Sequence, residues 1–561
     1  MPVTIREALD FVFENIQQYK LYSGFDLQES FYGFISTNLI LFGGLVLLFA
    51  MIMGVFMYFM RQTIIVMSRL IEYDLRKLIF NHYQRLDTAF YKKNKTGDLM
   101  SRITEDVSKV RMYLGPAILY GINLVSLFAI VIVSMFRVST TLTLWTLLPL
   151  PFLSLSIYIV SSIIHKKSAV IQKQLGFLTS ISQEVYSGIR IIKSYVQESK
   201  FGKYFLYESN NYKDKSLELA KVNALFFPLM LLLISISTII TIYVGGLEVV
   251  KGEITPGNIA EFVIYVNMLT WPVTSIGWIA SIIQQASASQ QRINEFLDTS
   301  PSITNPSDEP FVLEHEISFK NVDFVYPDTG IQALSDIDLK IKKGEKIAII
   351  GRTASGKTSI AELILRMYDV TGGDITIDGE NIKYINLDAL RQSIAYVPQD
   401  LFLFSDSIEN NIGFGIDEFH RDEIMKYAEY ASINKEIQGL PNGYDALVGE
   451  RGVTLSGGQK QRISIARALI KKPDIVILDD CLSAVDTKTE QKILSYLNNE
   501  LSEKTAIIIT HRIQSLIDFD QIVVLDEGKI VERGKHKELI EKQGYYYDIL
   551  EQQQLEENEI S

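Results

Sequence analysis

Five long stretches without a charged side chain constrain this chain more than any other feature of its sequence. They cover residues 34–60, 112–136, 138–164, 222–247 and 262–291. Each is long enough to cross a bilayer, which takes roughly 20 apolar residues, and core helices of soluble proteins rarely run so long uncharged. The sequence therefore predicts membrane-spanning helices in the first half of the chain.

Composition supports a membrane part joined to a soluble part. The chain has 561 residues, enough for two or three domains. Apolar residues make up 47% of it although 21% of its residues are charged. The net charge of −12 provides no basic footprint for general nucleic-acid binding. The single cysteine, Cys481, forms neither an internal disulfide nor a metal cluster, which disfavours redox and zinc chemistry.

The loops between the apolar stretches differ in length and charge. Two long polar segments, residues 61–111 and 165–221, are rich in Lys and Arg, and they alternate with short connections. Basic loops of this length stay on the cytoplasmic side of a membrane. The same segments continue the helical pattern of the spans, so the membrane helices are expected to project into the cytoplasm.

A phosphate-binding motif lies in the second half of the chain. The sequence Gly351-Arg-Thr-Ala-Ser-Gly356-Lys357-Thr358 fits G-x-x-x-x-G-K-[ST] and stands between an apolar strand-like run and a helix-like run. Its backbone N–H groups can cradle phosphates, Lys357 can reach the β- and γ-phosphates, and Thr358 can hold Mg²⁺. The predicted nucleotide-binding residues are Gly351, Arg352, Thr353, Ala354, Ser355, Gly356, Lys357, Thr358 and Ser359.

The region around this motif has the pattern of an α/β domain with a largely parallel core. A Pro/Ser/Asp-rich linker covers residues 298–312. After it, strand-like runs alternate with helical ones, at residues 317–324, 346–350, 475–478, 505–509 and 521–525. Asp479 ends one buried run and is a candidate magnesium ligand. His511 follows another, at the strand edge where ligands of such sheets gather.

Several further motifs resemble those of one family, the ATP-binding-cassette (ABC) exporters in their half-transporter form. Leu455, Ser456, Gly457, Gly458 and Gln459 are identical to the family's signature sequence. Gln399 resembles the glutamine of the family's Q-loop, and residues 448–452 resemble its X-loop. Residues 483–486 resemble the D-loop, which includes Asp486. His511 resembles the switch histidine, and Tyr326 resembles the aromatic residue that stacks on adenine. In the first half, residues 90–99 and 188–193 look like the segments flanking the family's two coupling helices.

The resemblance implies a membrane α-helical bundle fused to an α/β P-loop ATPase domain. The expected boundaries are a transmembrane domain at 1–297, the linker at 298–312, the ATPase domain at 313–550 and a polar tail at 551–561. ATP and Mg²⁺ are the expected cofactors, with Thr358, Gln399 and Asp479 around the metal. The expected catalytic residues are Asp480, His511 and Gln399.

The resemblance also implies a dimer in a lipid bilayer. Two cassettes close face to face around two ATP molecules, each held between one chain's P-loop and the other chain's signature. The signature opens a helix at Ser456, so its N-terminus can cap a γ-phosphate. The resemblance implies that closure switches a cavity from inward- to outward-facing. The expected cargo is an amphipathic or lipophilic molecule, such as a drug, a lipid or a peptide, which is exported across the cytoplasmic membrane. The ATPase domain is expected in the cytoplasm.

One residue departs from the family's catalytic pattern. Asp480 stands where the family normally has the Glu that polarises the attacking water. A carboxylate misplaced by roughly 1 Å can cost on the order of 100-fold in rate. Heterodimeric exporters carry this replacement in the subunit with the weakly hydrolysing site, which favours a heterodimer here. Two alternatives stay open: a homodimer in which Asp480 still works, and a mainly ATP-binding regulatory subunit.

The number of spans is a second departure. The family expects six per half with the N-terminus inside, whereas five are visible, and residues 1–12 resemble the stretch that closes the family's first span. A start placed too late is therefore expected, rather than a fragment or a five-span form. A soluble ATPase of DNA repair shares the cassette motifs but not the spans. An importer is disfavoured because fused halves resemble exporters.

Overall fold

Helices form the whole of the first half of the chain. The structure, a computed structural model, describes residues 1–449, 452, 455–481, 487–500, 504–511 and 519–560. The helices up to residue 297 are α1 (Pro2–Leu21), α2 (Leu27–Arg85), α3 (Thr88–Lys93), α4 (Thr96–Ser101), α5 (Val107–Met112), α6 (Ile118–Val138), α7 (Thr140–Leu147), α8 (Pro149–Ser187), α9 (Ile189–Ser194), α10 (Glu198–Lys251) and α11 (Pro256–Leu297).

Five helical runs in the described part of the chain are long and apolar enough to cross a membrane, the number predicted from the sequence. They are Leu27–Arg85, Thr96–Val138, Thr140–Ser187, Glu198–Lys251 and Pro256–Leu297. A helix satisfies its own backbone hydrogen bonds, as a lipid environment requires. The 59 residues of α2 extend about 90 Å at 1.5 Å per residue. That is far longer than the roughly 30 Å apolar layer, in line with helices that continue beyond the membrane.

Buried polar contacts fix the packing of these helices. Asp106 is 2% exposed. It accepts hydrogen bonds from Ser289 Oγ at 2.8 Å and Arg292 Nε at 3.0 Å. Glu261, also buried, accepts one from the Tyr265 hydroxyl at 2.8 Å and pairs with Arg6 at 3.3 Å. Buried charges without such partners are costly, so these pairs specify which helix faces meet.

The chain divides into two compact units. One comprises Met1–His82 and Leu99–Thr299, and the other Tyr83–Asp98 and Ser300–Ser561. The strands of the second unit are β1 (Glu316–Val325), β2 (Gln332–Lys342), β3 (Lys346–Gly351), β4 (Gly372–Ile377), β5 (Glu380–Asn381), β6 (Ile394–Val397), β7 (Ile475–Asp479), β8 (Thr505–Ile509), β9 (Gln521–Asp526) and β10 (Lys529–Gly534). Its helices after the linker are α12 (Lys357–Ile364), α13 (Leu387–Ser393), α14 (Ile408–Gly413), α15 (Arg421–Tyr430), α16 (Asn434–Gln438), α17 (Gly457–Ile470), α18 (Thr487–Glu500), α19 (His536–Lys542) and α20 (Tyr545–Ile560).

The central sheet has the strand order β10-β9-β3-β8-β7-β6. All neighbours in it are parallel except β10, which runs antiparallel to β9. Every residue of β7 and β8 is buried, and their Ile- and Val-rich sequences suit strands covered on both faces. This architecture confirms the predicted helical membrane part fused to an α/β domain.

A second sheet was not foreseen from the sequence. It is antiparallel, in the order β2-β1-β4-β5. The strand predicted at 317–324 forms part of β1 and so belongs to this sheet rather than to the parallel core. An apolar run predicts a strand, but its pairing partner depends on distant residues. The helix α20 extends to Ile560 and so includes most of the expected polar tail.

Within the second unit, Asp87 ties the segment Tyr83–Asp98 to the linker. Asp87 Oδ1 accepts a hydrogen bond from Phe90 N at 3.1 Å and so caps the N-terminus of α3. Its other oxygen accepts one from Ser302 N at 2.7 Å and another from the Ser302 hydroxyl. Burial alone raises the pKa of Asp87, but the hydrogen bonds from Ser302, Phe90 and Ala89 outweigh it and hold that pKa below its ordinary value.

Replacing Asp87 should loosen this segment. Asp87→Ala removes the cap and the Ser302 contacts, so the free energy of local opening of α3 should fall by about 1–2 kcal/mol. Amide hydrogen exchange of residues 88–93 should become about 5- to 30-fold faster. A carboxylate whose pKa is lowered in the folded state stabilises that state at pH values above its ordinary pKa. The extra stability that Asp87 gives to α3 in the wild type should therefore vanish as the pH falls through the folded-state pKa of Asp87.

The control is Asp98→Ala, because Asp98 lies in the same segment and is exposed. Unchanged exchange of residues 88–93 in Asp87→Ala would contradict the anchoring role.

Candidate functional site

The phosphate loop connects β3 to α12 and requires its two glycines. Gly351 has φ +154° and Gly356 has φ +99°. A Cβ atom at Gly351 would lie 2.1 Å from Leu525 O, and one at Gly356 would lie 2.4 Å from Ala333 O. No side chain fits at either position, which is why the backbone can follow so tight a path.

Lys357 lies inside the loop that it follows. Its side chain is buried, and Nζ donates hydrogen bonds to Gly351 O at 2.9 Å and Arg352 O at 2.7 Å. Burial lowers the pKa of Lys357 from its ordinary value, against the attraction of Asp479 and Asp480. The ammonium is therefore held inside the loop by two of the loop's own carbonyl oxygens.

The carboxyl ends of four parallel strands bring the predicted catalytic groups to the same edge. The P-loop follows β3, His511 follows β8, Asp479 ends β7 and Gln399 follows β6. A cavity of about 410 Å³ opens there. Its walls include twelve of the predicted site residues: Tyr326, Thr353, Ala354, Ser355, Gly356, Lys357, Thr358, Ser359, Gln399, Asp479, Asp480 and His511.

Not every predicted nucleotide-binding residue faces this cavity. Gly351 and Arg352 are absent from its described lining. The Arg352 guanidinium lies over the ring of Tyr545, 5.4 Å from the ring centroid. A residue at an x position of the motif can point away from the phosphates, and the contact with α20 accounts for the direction taken here.

The magnesium candidates carry the right atoms. Asp479 is 1% exposed, and burial is the main cause that raises its pKa above the ordinary value. A hydrogen bond from the Thr358 hydroxyl and the charge of Lys357 oppose that rise. Gln399 lines the same cavity. A hydroxyl, a carboxylate and an amide oxygen are ligands that Mg²⁺ accepts, so these residues fit the ion.

Asp480 and His511 both line the same cavity as the phosphate loop. Asp480 N donates to Ile509 O at 2.8 Å, and its φ of +47° is in the left-handed region. Asp adopts that region more readily than longer side chains do. Burial first, and then the nearby Lys357, lowers the pKa of His511. A neutral imidazole beside a carboxylate is suited to positioning water and phosphate.

Tyr326 forms one wall of the cavity and its ring is held firmly. Its hydroxyl lies 2.8 Å from Ser359 Oγ and donates to Glu362 Oε2 at 2.9 Å. The ring meets that of Tyr368 edge-on, with centroids 5.5 Å apart. Burial, the largest cause, raises the pKa of Tyr326, so the phenol stays neutral. A fixed, neutral ring is a suitable stacking partner for a base.

The signature residues lie elsewhere in this chain. Ser456 caps α17: its Oγ accepts from Gln459 N at 3.3 Å, and its N–H donates to Gln459 Oε1 at 3.0 Å. Ser456 and Gly457 are exposed, and none of Leu455, Ser456, Gly457, Gly458 and Gln459 lines the described cavity. The structure thus separates the signature from the P-loop of its own chain.

Some predicted positions fall outside the described residues. Asp486 and the rest of the D-loop at 483–486 are among them, as are Glu450 and Arg451 of the X-loop. Conversely, the cavity includes Lys92 and Asp328, which the sequence did not single out as site residues. Lys92 belongs to the predicted coupling segment, but nothing in its local sequence indicates that it reaches a nucleotide pocket.

A second cavity, of about 420 Å³, lies between α8 and α11 in the membrane part. Its apolar wall includes Ile157, Tyr158 and Ile276. Its polar lining consists of Ser161, Ser162, His165, Lys166, Ser281 and Gln284. No carboxylate is among the lining residues that the structure describes. The cavity thus has an apolar side and a side with positive or hydrogen-bonding groups.

Comparison with known proteins gives consistent results over nearly the whole chain. The family description "ABC transporter transmembrane region" matches residues 1–273, and "ABC transporter" matches residues 334–483. The chain is 36% identical over 524 residues to the probable multidrug resistance ABC transporter ATP-binding/permease protein YheI of Bacillus subtilis, covering 93% of this chain and 90% of that protein.

Other relatives point the same way. The ATP-dependent lipid A-core flippase of Syntrophus aciditrophicus is 35% identical over 522 residues, covering 92% of this chain and 86% of that protein. A solved bacterial Atm1-family ABC exporter with ATP bound superposes with a TM-score of 0.76 at 26% identity, over 98% of this chain and 97% of that chain.

Gly356→Ala tests the phosphate loop. The added methyl group collides with Ala333 O in a left-handed backbone conformation, so affinity for ATP should fall at least about 100-fold. Binding of a fluorescent ATP analogue to the purified full chain measures it.

Gly344→Ala is the matched control. Gly344 also has a positive φ, +77°, but open space surrounds its Cβ position. If both variants bind nucleotide as the wild type does, the loop is not the phosphate site.

Proposed function

This chain belongs to the ABC exporters, and from that premise we propose that it forms half of a dimer that uses ATP to export an amphipathic molecule with an acidic head group. ATPase-coupled transport by a multi-pass membrane protein follows from the family. The cargo, the pairing and the residue roles are the proposal.

The observation that carries the pairing is the separation of P-loop and signature. The cavity at the carboxyl edge of the sheet contains Lys357, Asp479 and His511 but, among the described residues, no group from the signature. The signature instead offers an exposed helix N-terminus at Ser456, which favours an anion. A second chain can supply the missing side of the site, so each nucleotide is enclosed by two chains.

Within this site we assign roles to this chain's own residues. Thr358, Asp479 and Gln399 hold Mg²⁺, which neutralises phosphate charge when bound. The P-loop N–H groups and Lys357 hold the β- and γ-phosphates. Asp480 orients the attacking water, and His511 donates a hydrogen bond to an oxygen of the γ-phosphate.

Asp480 favours a second candidate function for this chain, a mainly ATP-binding subunit of a heterodimer. Asp is one methylene shorter than Glu, so its carboxylate reaches less far from the strand end towards the water. The left-handed backbone at Asp480 and its N–H bond to Ile509 O fix where the side chain starts. A partner bearing Glu would then carry most of the hydrolysis, with this chain's signature completing the partner's site.

The cavity between α8 and α11 supports the choice of cargo. Its apolar side suits a hydrocarbon part, and His165 and Lys166 suit an acidic group. These two residues directly follow the uncharged stretch 138–164, so the basic side lies where the apolar span ends. The basic segments 61–111 and 165–221 favour placing this end, and the ATPase domain, in the cytoplasm.

Hydrolysis by the purified full chain tests the catalytic assignment. Wild-type turnover should be about 100-fold below the median enzyme turnover of about 10 s⁻¹. Asp480→Glu should raise it at least about tenfold, because the longer side chain reaches the water. Steady-state phosphate release at saturating ATP and Mg²⁺ measures both rates.

Asp474→Glu is the control, since Asp474 lies just before β7 at the opposite edge of the sheet. Wild-type turnover in the ordinary range that Asp480→Glu leaves unchanged would overturn the weak-site assignment and favour a homodimer with a competent Asp480.

Lys166→Glu tests the cargo class. Reversal of charge should weaken binding of a fluorescent anionic amphiphile to the purified chain by about tenfold, and leave ATP binding unaltered. A cationic amphiphile with the same tail should bind no worse than before.

Lys173→Glu provides the comparison, because Lys173 is an exposed residue of the same helix outside the described cavity lining. Equal affinity of wild type and Lys166→Glu for the anionic probe would remove the argument for an acidic head group.

A further inference from the structure

A residue of the first half of the chain reaches the nucleotide cavity. The segment Tyr83–Asp98 belongs to the same compact unit as the ATPase domain. It lies in the sequence between α2 and α4, at the junction of the first two membrane-crossing runs. Ala89 packs against the core of the ATPase domain, and Thr88 Oγ1 lies 3.7 Å from Met367 Sδ. These contacts fix the position of α3 on the domain.

From α3, Lys92 extends to the aromatic wall of the cavity. Its Nζ atom lies over the ring of Tyr326, 4.8 Å from the centroid, and over that of Tyr368 at 5.1 Å. It also pairs with Glu362 Oε1 at 3.7 Å. Lys92 and Tyr326 line the same cavity as the P-loop. The ammonium is therefore held by two ring faces and one carboxylate.

The partners of Lys92 are themselves fixed. Glu362 belongs to α12, the helix that follows the P-loop, and accepts a hydrogen bond from the Tyr326 hydroxyl at 2.9 Å. Burial alone would lower the pKa of Lys92, but the Tyr368 hydroxyl and the charge of Glu362 outweigh it and raise that pKa. Lys92 thus carries its positive charge at neutral pH.

A stacked base and this ammonium need the same space. Aromatic rings that stack have their centroids about 4.5–7 Å apart. Lys92 Nζ, 4.8 Å from the Tyr326 centroid, lies within the slot that such a base would fill. The Tyr326 ring is held by its hydroxyl contacts with Ser359 and Glu362 and by ring contacts with Phe324 and Tyr368. One of the two groups has to move, and the lysine side chain is the more flexible.

We propose that Lys92 competes with the nucleobase for the face of Tyr326 and so sets the nucleotide affinity of this site. Lys92 belongs to the segment Tyr83–Asp98, which joins the first two membrane-crossing runs. The inference rests on the nucleotide site of the proposed function. Stacking of the base releases Lys92 from Tyr326, Tyr368 and Glu362, so the segment loses these three contacts with the domain when ATP binds.

Opposite substitutions at Lys92 should shift affinity in opposite directions. Lys92→Ala removes the competitor and should tighten ATP binding by about five- to tenfold. Lys92→Arg should weaken it severalfold, because a guanidinium stacks on aromatic rings and pairs with a carboxylate better than an ammonium does. Titration of the purified full chain with ATP and with inorganic tripolyphosphate, which has no base, measures both.

Three controls separate the causes. Tripolyphosphate should bind wild type and both variants alike. The ratio of ATP affinities between Lys92→Ala and wild type should narrow as salt rises from 0.1 to 0.5 M, because salt weakens the Lys92–Glu362 pair. Lys93→Ala should bind ATP as the wild type does, since Lys93 is exposed and outside the described cavity lining.

Two results would overturn the inference: unchanged or weaker ATP binding in Lys92→Ala, or an equal change with tripolyphosphate. Either would leave the proposed function standing, because wild type still binds ATP. A wild-type chain that binds neither ATP nor tripolyphosphate would instead refute the nucleotide site itself.

Discussion

The direction of five buried strands determines what this chain can do. Because β9, β3, β8, β7 and β6 are parallel, their carboxyl ends meet at one edge, and the P-loop, His511, Asp479 and Gln399 meet there with them. The signature opens a separate helix at Ser456 and is exposed outside this cavity. In the proposed function, the sheet builds one half of a nucleotide site and the signature on α17 offers the complementary half, which is the physical reason to expect two chains.

The segment Tyr83–Asp98 connects the proposed ATP cycle to the membrane runs. It is anchored by Asp87 at the linker and by Ala89 at the domain core, and it places Lys92 against Tyr326. Under our proposal, a base that stacks on Tyr326 displaces Lys92, and Lys92 belongs to the segment that continues into α2 and α4. We infer that nucleotide binding alters this segment through contact at a pocket wall as well as through closure of the domains.

Much of the fold could be predicted because its causes are local. Uncharged runs longer than 20 residues indicate membrane helices, and all-apolar runs such as residues 475–478 indicate strands covered on both faces. The P-loop glycines follow from backbone geometry. Pairing partners are not local, so the assignment of β1 to a second, antiparallel sheet was missed. Lys92 was missed for the same reason, because its role depends on the position of α3 on a domain more than 200 residues later in the chain.

Complementation between two defective chains tests the central claim, that each site needs residues from two chains. In an Asp480→Glu background, one chain carries Lys357→Ala and the other Ser456→Arg, and their ATP hydrolysis is measured separately and after co-expression. The account predicts little activity from either alone and partial recovery in the mixture, because the intact P-loop of one chain meets the intact signature of the other. Activity of the Ser456→Arg chain alone, or no recovery in mixed dimers that form normally, would contradict it.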